Sequence, residues 1–190
     1  MSRDVDWSWK LREAVDRIRT RYDHIGRKTG APFLAVVYPP EAEVVVLKEW
    51  RTLVGTLGAE FDVRTIDVLD VTSSVIDELG VDNIVEVLAN PMPGASPEVE
   101  LGSMWASALA ERVKKLADHQ GQKKTVVVLE RLAALYPATG PRSVMQSLWD
   151  SEQEALEGPV IVLIPGTLIE ARVYLFLDQR EEFMYRGDIL

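Results

Sequence analysis

Apolar positions along the chain follow two rhythms. Leu11, Val15, Ile18, Tyr22 and Ile25 recur at spacings of four and three, which predicts an amphipathic helix over residues 6–25. Gly26 and Lys28-Thr29-Gly30 end it. Phe33–Tyr38 is a continuous apolar run and reads as the first strand. Pro39-Pro40 stops that strand, because proline has no amide hydrogen for a sheet ladder. Glu41 and Glu43 then open a helix that runs to about Gly58, with Leu47, Trp50, Val54 and Leu57 on one side. Phe61–Ile66 alternates, as a strand near a sheet edge does. Residues 71–89 read as helical with a break at Gly80. Residues 90–97, with three prolines and a glycine, form a loop inside the domain. A longer helix follows, and its Leu101, Met104, Trp105, Ala108, Val113 and Leu116 keep helical spacing. Met104 and Trp105 are expected in the core.

The second half turns on residues 123–140. Thr125–Leu129 is a short apolar run flanked by helical patterns, as in a parallel strand buried on both faces. It breaks into Glu130-Arg131 and then a Tyr136-Pro137 loop. In open α/β sheets the carboxyl ends of strands carry function, so this edge is the place to look for a site. Pro141 suits the first turn of a short helix through Leu148-Trp149. Residues 160–164, VIVLI, form another buried strand that ends in Pro165-Gly166. Residues 171–177 form the last strand, too close to its predecessor for a helical crossover, so the pair is antiparallel. The tail after it is polar with aromatic punctuation. The whole predicts one three-layer α/β domain over residues 1–190, mostly parallel, with an antiparallel C-terminal edge.

Composition narrows the chemistry. The chain has 190 residues, enough for one substantial core. It has no cysteine, which excludes disulfides and thiolate chemistry. The N-terminal residues form no apolar signal core and no stretch reaches the length of a membrane span, which predicts a cytoplasmic protein. The net charge of −9 argues against general nucleic-acid binding, so direct DNA contact is not expected. Residues 1–30 nevertheless hold eight Lys/Arg against five Asp/Glu. The basic surplus is either a solvated helix face or a site for phosphate or an acidic partner, and the apolar stripe of the same helix docks on the domain itself or on a partner subunit.

Candidate chemistry is sparse. The layout invites comparison with P-loop nucleotide hydrolases, whose glycine-rich loop after the first strand cradles phosphate. Here that loop is Tyr38-Pro39-Pro40-Glu41-Ala42-Glu43, with no glycine and no lysine. The domain therefore reads as a degenerate relative of that layout, without a Walker A loop. Glu130 stands where such enzymes often carry an acid for Mg²⁺. Arg142, at a helix start, can hold a phosphate or carboxylate, or form an ion pair that stabilises its loop. Asp67 and Asp70 lie at a strand end, where such residues cap helices or join a metal site. His24 and His119 are the only histidines, each isolated, and no pair has metal-ligand spacing. No cofactor is expected.

Several strand-end motifs occur in a characteristic order: Tyr38-Pro39-Pro40 with Glu43, Tyr136-Pro137 followed by Arg142-Ser143 and Leu148, Pro165-Gly166, Leu175-Phe176, and Tyr185-Arg186. In that order and spacing, across residues 31–190, they resemble the BrxB family, the small component of BREX bacteriophage-exclusion systems. Glu130-Arg131-Leu132 stands where that family usually has a glycine-bearing turn, Val144 where it often has histidine, and Met184 where a second aromatic is common. These departures mark a divergent member. The resemblance implies a cytoplasmic defence protein without established catalysis, acting beside a PglZ-type phosphatase-fold protein, a large ATPase and a methyltransferase. Contact residues would be Tyr38, Pro39, Pro40, Tyr136, Pro137, Arg142, Tyr185 and Arg186, since aromatics and arginine dominate binding hot spots. The alternative is a nucleotide- or phosphate-binding regulator, with Glu130 on a cation and Arg142 on a phosphate. A metal-dependent nuclease using Asp67, Asp70 and Glu130 ranks last.

Overall fold

The computed structural model describes residues 6–118, 121–152, 156 and 158–190. His119 lies outside them. Helix α1 (Asp6–Arg21) is followed by β1 (Phe33–Tyr38), α2 (Glu43–Gly55), β2 (Phe61–Asp67), α3 (Val68–Leu79) and α4 (Val81–Ala89). Then come α5 (Pro97–Ala117), β3 (Lys124–Glu130), α6 (Pro141–Glu152), β4 (Val160–Glu170), β5 (Val173–Phe176), β6 (Arg180–Phe183) and β7 (Asp188–Ile189).

The strands form one seven-stranded sheet with the path β2-β3-β4-β1-β7, all parallel. β5 pairs antiparallel with the far half of β4, and β6 with β5. The fold is thus α/β, mostly parallel, with antiparallel edge strands. The continuous apolar runs are explained by this order. β1, β3 and β4 each have neighbours on both sides and helices on both faces, so residues of either parity must be apolar. In β1 every residue is buried.

Parity divides the core. Phe33, Ala35, Val127, Leu129, Val162 and Ile164 face α5 and α6. Leu34, Val36, Val126, Val128, Ile161 and Leu163 face α1 and α2. Leu11, Ala14 and Ile18 of α1 are fully buried on that second face. The first helix therefore docks on its own domain, and Arg17 serves internally, bonded to Glu13 at 2.7 Å and 3.9 Å from Asp188.

Three expectations need correction. Met104 is 44% exposed, because α5 turns Trp105, Ala106, Leu109, Ala110 and Val113 inward instead. Pro165-Gly166 does not end β4, which continues to Glu170. There the strand leaves β1 and takes up β5, and Gly166 permits the approach: a Cβ on it would lie 2.2 Å from the Leu175 carbonyl oxygen. Nor is β5 the last strand. The chain turns at Leu177 and Asp178, both at positive φ, 53° and 56°, into β6. The tail then returns to the sheet. The Leu190 amide donates to the Ala35 carbonyl and the Val37 amide to the Leu190 carbonyl, at 2.9 and 3.0 Å. The polar-looking tail thus covers the outer edge of β1.

Candidate functional site

The residues singled out at the strand ends separate into two places. The first is the carboxyl edge of β1, β2 and β3. Tyr38 is only 1% exposed and packs in the core beneath α1 and α2, so it presents no ring to a partner. Its hydroxyl donates to Glu43 Oε1 at 3.2 Å. Burial, and then the Glu43 carboxylate, push the phenol far above its ordinary range. Pro39 and Pro40 are half-buried in the turn into α2.

Glu130 ends β3 on the α2 side of the sheet. Its Oε1 accepts from the Arg51 guanidinium of α2, while Oε2 is buried without a hydrogen-bond partner. Asp67 is level with Glu130 in the sheet register. It caps α3, accepting from the Leu69 amide at 3.0 Å, and its other oxygen accepts from Arg131 at 2.7 Å. Asp70 is exposed in the first turn of α3. Of the three acids weighed for a nuclease, Asp67 and Glu130 are thus neighbours across β2 and β3, each held by a different arginine, and Asp70 is turned to solvent. Among the described residues no group of three or more acids or histidines is placed to hold a metal ion.

Arg131 shapes the turn after β3. It sits at φ 62°, ψ 41°, the left-handed region where glycine is at ease. The turn after β3 therefore has a geometry that a glycine would suit. In this chain an arginine adopts it, held by Asp67.

The second place is the outer face of α6 and the tail. The Arg142 backbone amide donates to Glu182 Oε2 at 2.9 Å, and its guanidinium lies 4.7 Å over the Tyr185 ring. Tyr185 meets Phe183 edge-on at 4.7 Å. About two helical turns along α6, Arg186 lies 4.5 Å over Trp149. Tyr185 is 57% exposed, and both arginines are exposed. The buried Glu182 underlies the patch and also accepts from the Tyr174 hydroxyl at 2.7 Å. Its burial raises the carboxyl above its ordinary value, against the opposing hydrogen bonds from Arg142 and Tyr174.

So Arg142, Tyr185 and Arg186 come together, and Tyr38 does not join them. Tyr136 and Pro137 are exposed in the turn before α6, joined by a cis peptide bond. Glu130 and Arg142 lie on opposite faces of the sheet, which separates the cation and phosphate groups of the nucleotide-binding alternative. The exposed Arg142 guanidinium stacks on the Tyr185 ring and donates to its hydroxyl at 3.3 Å, while the carboxylate of Glu182 takes only the backbone amide.

Trp149, Phe183 and Glu182 also belong to the patch. Glu182 and Phe183 lie in β6, and the turn that leads into it carries no Asn-Gly or Asp-Gly signal, the usual mark of a hairpin with positive φ. The outermost helix, α4, is a further exposed surface, and its sequence reads only as part of the helical stretch 71–89. None of its residues is buried, and Val81, Val85, Val87 and Leu88 are 44–59% exposed. No family model, curated protein or solved structure matches the chain. No described helix is long and apolar enough to cross a membrane.

Proposed function

We propose that this chain is a non-catalytic interaction subunit of a BREX-type bacteriophage-defence assembly, acting in the cytoplasm beside a PglZ-type phosphatase-fold protein or the large ATPase. The ordered strand-end motifs support the family assignment. The observation that carries the interaction role is the exposed stack of Arg142 on Tyr185, with Arg186 on Trp149 alongside. Such residues are preordered by stacking, and arginine and aromatic side chains supply most interface hot spots. Affinity capture of the tagged chain from its native cells tests the reading. Wild type should recover a PglZ-type protein or the ATPase, and R142A/Y185A should lose it while remaining folded by circular dichroism. Recovery unchanged by the double variant removes the patch as the contact. Absence of both proteins from the wild-type capture removes the assembly.

The second reading, a nucleotide- or cation-responsive regulator, draws on the unpartnered Oε2 of Glu130. A ligand at about 100 times its dissociation constant should add about 2.7 kcal/mol to stability. No thermal shift with ATP and Mg²⁺ at saturating levels would end it.

A further inference from the structure

Residues 65–111 contain nine Asp/Glu and no Lys, Arg or His, so this stretch alone accounts for the net charge of −9. The rest of the chain is balanced. The same stretch folds into α3, α4 and α5 and holds most of the exposed large apolar side chains. Between α4 and α5 lies an open groove of about 180 Å³ lined by Ile84, Val87, Leu88, Leu101 and Met104. Glu100 lines it as well, and Asp82, Glu86 and Glu98 are exposed on the helices that form it. Leu88 and Met104 are each 44% exposed, a large apolar area for a helix pair to leave in water.

We infer that the groove between α4 and α5 docks a basic amphipathic helix of a partner protein. The apolar floor takes the partner's hydrophobic stripe, and the acidic surround takes its Lys and Arg. The nine residues of α4 span about 14 Å, which matches a stripe of two or three anchors at helical spacing. Charge excludes the other occupants. A second copy of this face brings the same negative sign, and an anionic membrane does too. This inference goes beyond the aromatic–arginine patch and does not depend on it.

The test uses the full chain and a fluorescent Leu/Lys peptide of roughly 14 residues, with apolar positions at helical spacing. A Leu/Glu peptide of the same pattern is the control. The Leu/Lys peptide should bind saturably and the Leu/Glu peptide should not. L88S/M104S, both at exposed positions, should weaken binding at least about tenfold, a loss of ~1.4 kcal/mol. E86Q/E100Q should weaken it and reduce its salt dependence. R142A/Y185A should bind the peptide like wild type, which keeps this outcome separate from failure of the patch. The inference is overturned if the Leu/Lys peptide does not bind, if both peptides bind equally, or if L88S/M104S binds as tightly as wild type. It is also overturned if the chain alone sediments as a dimer that L88S/M104S dissociates.

Discussion

Helices α2 and α4 are written in similar residues and meet different fates. α2, EVVVLKEWRTLVG, buries Val46, Leu47 and Trp50 against the face of the sheet that holds Leu34 and Val36. α4, VDNIVEVLA, is as rich in branched apolar residues and buries none of them. α2 follows β1 directly and lies over central strands. α4 follows α3 and leans on α3 and α5, outside the layers that cover the sheet. A helix's apolar stripe thus says that it wants a surface, and only its place in the fold says whether the chain supplies one.

The largest effect expected is on the α2 side of this comparison. Trp50→Ala should cost about 3–5 kcal/mol in denaturant unfolding, because a fully buried ring is lost and a cavity remains. Leu88→Ser on α4 should change stability by less than about 0.5 kcal/mol. Similar losses in the two variants would break the contrast and place α4 in the core.

The same contrast is repeated within α5, the helix that α4 leans on. Gly102 faces inward, and a Cβ there would lie 2.6 Å from the Ala138 carbonyl oxygen. Gly102→Ala should therefore cost about 1–3 kcal/mol despite alanine's better helix propensity. Met104→Ala, on the groove side, should cost less than about 0.5 kcal/mol. A stabilised Gly102→Ala would mean that α5 does not sit against the turn at Tyr136-Pro137.

Asp67 anchors the α3–α4 arm to the sheet by capping α3. Asp67→Ala should cost about 1 kcal/mol for the cap, with little added for the partly exposed pair to Arg131. Thermal unfolding measures it, and no change would show that packing alone holds α3.

The smallest effect concerns the reverse of α4's exposed apolar face, the buried acid Glu182. Burial holds its proton to a higher pH in the folded chain than in the unfolded one, where the carboxyl has its ordinary value of 4.5. The folded state therefore binds more protons through that window. Stability from this group is greatest at acid pH and falls as pH rises from 4.5 through the raised folded value. Glu182→Gln cannot ionise and keeps an acceptor for Arg142 and Tyr174. Its stability relative to wild type should rise over that same window. A difference that stays constant with pH would show that Glu182 does not titrate there.

The strands were legible because a parallel strand covered on both faces leaves no polar position. Phe33–Tyr38 and Thr125–Leu129 show this without ambiguity. The capping role of Asp67 and the break at Gly80 were also visible, since both depend on local backbone chemistry. The tail was harder. Leu177 and Asp178 turn the chain at positive φ without the residues that usually announce such a turn, and Glu182 is buried in a strand that reads as polar. The acidic stretch was present in the sequence but is averaged away when charge is divided at residue 30.

From the sequence alone follow the layered α/β architecture, the interior strands and the acidic balance, because these rest on residue type and short-range spacing. Only the tertiary structure decided which apolar stripes found a surface. It covered Tyr38 and left Leu88 open, and it brought Arg142 to Tyr185 across 43 residues. Burial and stacking depend on what lies opposite in space, and no local pattern records that.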